Sequence, residues 1–526
     1  MYTLTIVLFI ALPILTIVVK LFDGPGEMWD HVVTYLMATY VTNSLFLIVG
    51  CTFLTFVLGV FSSWFVTRFH FPFRKILEWL LILPLAIPSY ITAYAYAGIF
   101  DHSGSLQILF KTIHIQFPRI DVMNPVGLIV VLSLSLFPYV YVSARAVFLH
   151  QSRTLMETSV LLGASESRTF FRVVLPLARP AIVGGLVLVL MEVLNDYGAA
   201  KYYGVSTFTT GIFRSWFALE EPETAIFLSA ILVTLIFGLI AIEKWQRRKI
   251  GYVDGVKSSK TITRITLKGF NKYLVCCLVS IPAFFGFVLP VMQLIYWAFL
   301  TFNSVFNTEF FGIAFQSLGI ALVTALLTTT TAFFFIYFVK WNKLRSVRFI
   351  SKITTIGYAI PGAVIAIGIM IPTLALDKYL IVFFKSNFDI SISLLINGTI
   401  VALVYAYIVR FLAVAYNPIE ASSLKIGNHL SESSKLLGIT AFKTLLKIEL
   451  PLLKTGFLSA FILVFVDVMK ELPLTLILKP YKVQTLAVKA YEYASDELIA
   501  ESALPSLFII FAGVFFVLIL NRIIRK

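Results

Sequence analysis

Charge is what this chain has least of. Only 13% of its 526 residues are Asp, Glu, Lys or Arg, about half the share usual in a soluble domain, while 59% are hydrophobic. That balance excludes a soluble globular protein and indicates an all-α polytopic membrane protein. Cysteine is nearly missing too. Cys51, Cys276 and Cys277 all fall in apolar runs, without the spacing of a disulfide framework or a zinc site, so they read as small buried hydrophobes. A G-x-x-x-x-G-K-[ST] phosphate loop is also missing, so the chain lacks the usual means of binding ATP and is expected to hold no cofactor of its own.

What fills the chain instead is apolar runs of roughly 20 residues, the length that crosses a bilayer. About twelve transmembrane helices are predicted, near 3–21, 39–66, 76–100, 126–149, 178–200, 224–243, 272–300, 315–339, 352–376, 392–416, 453–478 and 504–521. The first run lacks a basic leader and a small-residue cleavage site, so it is expected to be retained. The net charge of +15 is not a nucleic-acid footprint. Its basic residues gather in alternate loops: Arg68 to Lys75, Arg145 to Arg179, Lys244 to Lys272, Lys340 to Lys352, Arg410 to Lys454 and Arg522 to Lys526. Such alternation places those loops and both termini in the cytoplasm, with the lipid bilayer and no nucleic acid as partner.

The chain repeats itself. Asn43-Ser44 matches Gln316-Ser317, and LAIPSYITAY (85–94) matches YAIPGAVIAI (358–367), both at an offset of 273. The polar stretch ETSVLLGASESRTFFRVVLP (157–176) returns 275 residues later as ESSKLLGITAFKTLLKIELP (432–451). The expected organisation is a first half, 1–243, a basic cytoplasmic linker, 244–271, and a second half, 272–526. Six spans in each half make the two repeats parallel, related by a pseudo-two-fold axis along the membrane normal.

Both polar stretches share one skeleton: Glu157, Gly163, Val173, Leu175 and Pro176 in the first, Glu432, Gly438, Ile448, Leu450 and Pro451 in the second. Gly suits a left-handed helix terminus and Pro the first turn of the helix that follows, so each stretch reads as a helical elbow entering a membrane span. This skeleton resembles the EAA loop of the membrane subunits of bacterial ABC importers. The resemblance implies a type I-like permease of the inner membrane that is not itself an enzyme. It implies two copies of a cytoplasmic ATPase subunit docked at Glu157, Gly163, Pro176, Glu432, Gly438 and Pro451. One departure is visible: the family's two alanines stand here as Thr158-Ser159 and Ser433-Ser434, a small, helix-compatible exchange expected to leave docking intact.

Spans 5 and 11 carry the informative charges. Glu192 and Asp196 stand four residues apart, hence on one helical face, and Asp467 and Glu471 repeat them at 275. Gly198 and Pro473, two residues beyond the second acid of each pair, weaken the helix at matching points. At about 1.5 Å per residue from Pro176, Glu192 lies roughly 24 Å along its helix, toward the outer side. Carboxylates at such depth mark a pathway, and four brought together would favour a multivalent hard cation. Local neutralisation by Lys470 and Lys201 is the structural alternative. EVLNDYGAAKYYG, TFTTGIFRSWF and DVMKELPLTLILKP resemble the fused two-half permeases of ferric-iron importers. That resemblance implies a periplasmic substrate-binding protein and Fe³⁺ passing transiently over these carboxylates, with Tyr197 beside them and no fixed metal site. Permeases of this architecture for thiamine or a polyamine are the nearest alternative. An ion-gradient-driven transporter is the more distant one.

Overall fold

The computed structural model describes residues 2–524 apart from 103, 116, 117, 119, 151–157, 160, 249–263, 342–354, 391, 392, 427–433, 435 and 438. Helices dominate it, as expected where lipid offers the backbone no hydrogen bonds. Among the described residues the one β pairing is short: Phe69–His70 runs parallel to Ile265–Thr266.

Eight described helices are long and apolar enough to cross a membrane, and two further spans qualify only as bent pairs, ten in all rather than twelve. The expected first and last spans form the helices Tyr2–Lys20 and Ala503–Ile524, neither of which is among those eight. The first bend falls inside 76–100, expected to be one helix; the second falls at Leu453, where the expected 453–478 begins, and that span is itself interrupted between Lys454–Met469 and Pro473–Leu478. Arg74–Ala86 meets Ser89–Thr112 at a sharp angle, and Leu445–Leu452 meets Lys454–Met469 at 69°. Proline is the physical reason. Pro84 and Pro88 flank the first bend and Pro451 precedes the second, each removing an amide donor from the helical ladder.

The chain folds into two compact units that do not follow the sequence halves. One comprises Met1–Glu27, Ile212–Ala230 and Thr301–Lys526; the other comprises Met28–Gly211 and Ile231–Leu300. The first helix, Tyr2–Lys20, therefore packs among second-half elements, chiefly along Gly362–Phe388, and the Tyr405 hydroxyl donates to the Phe9 carbonyl. Conversely, Asn271–Ala283 packs on Met37–Arg68, and its Val275, Val279 and Ala283 join a core of Val66, Phe71, Leu77, Leu81, Phe137 and Tyr141. Helix association in lipid depends on close packing rather than on escape from water, so hydropathy alone does not choose a helix's neighbours.

Each unit taken by itself contains the same three-helix core. In one, Met37–Arg68, Pro125–His150 and Leu175–Asn195 pack on one another; in the other, Thr308–Trp341, Ile400–Ile426 and Lys454–Met469 do so. The sequence repeat is thus a repeat of packing. In each unit, one end of this core carries a polar elbow and the other a broken helix.

Candidate functional site

The elbows come first in the chain. The first begins with a helical turn closed by the Leu162 amide donating to the Thr158 carbonyl (3.0 Å) and the Ala164 amide to the Ser159 carbonyl (3.0 Å). Gly163, with φ +78°, occupies the left-handed position that ends such a turn, where a side chain would be strained. Ser165 then caps a new helix, its hydroxyl accepting from the Arg168 amide. In the second elbow the Ile439 amide donates to the Ser434 carbonyl (3.0 Å), repeating the first at the same offset. Glu157, Glu432 and Gly438 lie outside the described residues.

Two features of the elbows escaped sequence reasoning. The Ser159 and Thr169 hydroxyls pair at 2.7 Å across the first turn, and those of Ser434 and Thr444 pair at 2.9 Å across the second. All four residues are buried. Ser159 and Ser434 stand where the resemblance has alanine, so this exchange is not passive: it adds a hydrogen bond. Beside each clasp sits a pair of nearly naked leucines: Leu161 and Leu162 are 87% and 82% exposed, Leu436 and Leu437 89% and 78%. Each such side chain forgoes roughly 1.5–3 kcal/mol of burial, which a partner surface would recover.

Each elbow is tied to the first core helix of its unit, Met37–Arg68 or Thr308–Trp341. Arg68 grips Glu166 through two nitrogens, at 2.6 and 3.1 Å, and Lys340 meets the buried Glu449 at 3.0 Å. The prolines stand, as expected, in the first turn of the helices Leu175–Asn195 and Leu450–Leu452, with one feature the sequence did not signal. Pro176 and Pro451 each follow a widened helical turn, Phe170–Val174 and Leu445–Glu449. A proline cannot donate to the carbonyl four residues back, and a turn with wider spacing absorbs that mismatch. The helix consequently runs unbroken over Glu166–Asn195 in the first half, whereas the second bends at Leu453.

At the far end of each core the helix breaks where Gly198 and Pro473 predicted. The backbone turns extended at Asp196, whose carboxylate accepts from the Ala199 and Ala200 amides (both 3.0 Å) and from the Ser89 hydroxyl (2.5 Å). Its carbonyl accepts from Thr209 (2.7 Å). Glu471 does the same work with other partners: its carboxylate accepts from the Leu474 amide (3.1 Å) and pairs with Arg410 (3.2 Å). Arg410 also donates to the Ile360 carbonyl (3.2 Å), and the Tyr407 and Thr475 hydroxyls meet at 2.5 Å. Gly362, which stands where the first half has Ser89, makes room for this pair. A Cβ there would lie 2.6 Å from the Glu471 carboxylate and 2.9 Å from the Arg410 guanidinium.

The four acids are therefore distinguished by burial. Asp196 and Glu471 are buried and serve as caps of the breaks; Glu192 and Asp467, one turn earlier, are only half-buried. Asp467 pairs with Lys470 at 2.8 Å, as the structural alternative expected, while Lys201 is exposed. Tyr197 is buried at the first break. Among the described residues, no group of three or more His, Cys, Asp or Glu side chains is placed to hold a metal ion. Arg410, expected from charge alternation in a basic cytoplasmic loop, lies instead inside Ile400–Ile426, buried against Glu471. Nothing in an apolar span signals which helix an arginine will face.

A family model described as the binding-protein-dependent transport system inner membrane component matches residues 55–252 and 341–526, almost three-quarters of the chain in two copies. The chain belongs to this family. Both elbows and both helix breaks fall within the matched segments. An Fe(3+)-transport system permease protein, FbpB 2 of Haemophilus influenzae, is 26% identical over 91% of this chain and 88% of its own length. A probable ABC transporter permease of Sinorhizobium fredii, y4fN, is 20% identical over 82% of this chain and 78% of its own. The sulfate transport system permease CysT of Salmonella typhimurium is 25% identical over 90% of its own length but only 47% of this chain. About half the length of this chain thus suffices to match nearly the whole of that sulfate permease. As a member of the family, this chain is a multi-pass inner-membrane permease of an ABC importer.

Proposed function

We propose that this permease carries ferric iron from the periplasm to the cytoplasm by alternating access. In this reading it is supplied by a periplasmic binding protein and driven by two ATPase subunits, one seated on each elbow. The observation carrying the ATPase assignment is the matched pair of elbows, each tied to a core helix and each presenting two exposed leucines on an otherwise polar loop. Two identical knobs call for two identical sockets. With Glu157, Gly163 and Pro176 on one side and Glu432, Gly438 and Pro451 on the other, they form the docking residues.

The ferric assignment is supported by the Fe(3+) relative, which aligns across both halves, and by the acids at matching depths. Asp196 and Glu471 hold the helix breaks, and Tyr197 packs beside the first. Glu192 and Asp467 are the carboxylates exposed enough to meet a passing cation, with Lys470 released as the charge arrives. The second reading is an oxyanion cargo. It is favoured by the Arg410 guanidinium beside the second break and by the sulfate permease that matches about half of this chain.

The deciding experiment is ATP-dependent uptake into proteoliposomes holding this chain, its ATPase and its binding protein, with Fe³⁺, thiamine, a polyamine and sulfate compared. Uptake of Fe³⁺ alone, lowered about tenfold by Glu192→Gln with Asp467→Asn, is expected, a loss of about 1.4 kcal/mol of cation stabilisation. Uptake of another cargo, or unchanged Fe³⁺ uptake in the double variant, overturns the ferric pathway.

A further inference from the structure

The elbow hydroxyls have no part in contacting a partner, since all four are buried inside the elbow, yet the same pair is built twice. Each pair spans ten residues, from the turn that carries the serine to the helix that leads into the membrane. The serine of each pair is held a second time, through its carbonyl, by the amide five residues on. In the second elbow the Thr444 hydroxyl also lies 3.2 Å from the Thr440 carbonyl, so the threonine is fixed to its own helix as it holds the serine.

These bonds matter because a turn this short holds itself poorly. An isolated helical turn is unstable by itself, since its few internal hydrogen bonds do not offset the ordering of its residues. The exposed leucines at 161–162 and 436–437 bury almost nothing of their own and cannot fix the turn they sit on. The charged tethers, Arg68 to Glu166 and Lys340 to Glu449, hold the far side of each elbow, along the helix that carries the threonine. The Ser–Thr pair is the side-chain link that joins the leucine-bearing turn to the tethered helix.

Resting on the reading that an ATPase sits on these elbows, we infer that Ser159–Thr169 and Ser434–Thr444 are positioning residues for coupling. They make each leucine knob rigid with its membrane helix, so that a push on the knob moves the helix instead of bending the elbow. Without them the ATPase still docks, but part of each stroke is lost in the turn.

The test uses the full chain reconstituted with its ATPase and binding protein, reading three quantities: ATPase retained on purification, ATP hydrolysed, and substrate taken up per ATP. Thr169→Val with Thr444→Val keeps shape and removes the hydroxyls; Thr169→Ser with Thr444→Ser keeps the hydroxyls. We expect the valine pair to retain ATPase to within about twofold while uptake per ATP falls about three- to tenfold, the scale of losing one buried hydrogen bond in each elbow. The serine pair should restore uptake per ATP. Ser159→Ala with Ser434→Ala should reproduce the valine phenotype, and adding it to the valine pair should change little further, because both remove the same bond. Wild-type coupling in the valine pair, or equal loss in the valine and serine pairs, overturns the inference. So does failure of the valine and alanine variants to assemble, which would make the clasp a folding element. If the wild-type chain itself retains no ATPase and transports without ATP, the elbow reading fails instead.

Discussion

The two helix breaks solve one problem with different chemistry. In the first half a carboxylate, Asp196, is neutralised by a hydroxyl and two backbone amides. In the second, Glu471 uses one amide and a guanidinium from a neighbouring core helix. The exchange is concerted: Ser89 becomes Gly362, and the space gained admits the Arg410–Glu471 pair. A hydroxyl-bonded cap is local and tolerant. A buried ion pair is not, because each charge depends on the other. The second break is therefore the more specified of the two, and the less forgiving.

That contrast can be broken most severely at Arg410. Arg410→Ala removes the guanidinium from a buried carboxylate and should destabilise the protein by about 3–5 kcal/mol, read as a large loss of thermal stability in detergent or of assembled complex. Recovery in Arg410→Ala/Glu471→Gln would show that the stranded charge, not lost packing, is responsible. Gly362→Ser comes next. It transplants the first-half residue into the second half, where its Cβ meets both members of the ion pair, and should cost about 1–3 kcal/mol through overpacking. A neutral effect there would mean the two breaks are interchangeable. Ser89→Ala leaves Asp196 its two amides and should cost about 1.5–3 kcal/mol, the range for one hydrogen bond to a charged group. The smallest effect is expected at the elbow tethers. Glu166→Gln breaks a bond to Arg68 at a part-exposed carboxylate and should cost about 0–1 kcal/mol, whereas Glu449→Gln, at a buried site facing Lys340, should exceed it. Equal melting temperatures for the two variants would remove this asymmetry.

Much of this was legible without coordinates, for physical reasons that also mark the limit. Hydropathy finds a run such as Pro125–His150 because its surroundings are apolar on every side, whether a face meets neighbouring helices or lipid. The offset of 275 finds the elbows because a turn at Gly163 needs a residue free of strain. The breaks could be foreseen because Gly198 and Pro473 act on their own backbone. What depends on a distant partner was not legible. The pairing of Tyr2–Lys20 with Gly362–Phe388 and the Arg410–Glu471 bond both follow from packing between helices far apart in sequence. The Ser159–Thr169 clasp lay in between. Both residues are inside the recognised motif, but a ten-residue spacing across a turn has no periodicity to reveal it.

The central claim is that the two leucine-bearing elbows are what the ATPase holds. The most direct measurement is ATPase retained by the purified chain carrying Leu161→Asp and Leu162→Asp, Leu436→Asp and Leu437→Asp, or all four. Each single-elbow variant should retain about half the wild-type ATPase, and the fourfold variant essentially none, with the chain itself still purified in the membrane fraction, since each change replaces an apolar burial of roughly 1.5–3 kcal/mol with a desolvated charge. Full retention by the fourfold variant would contradict the account.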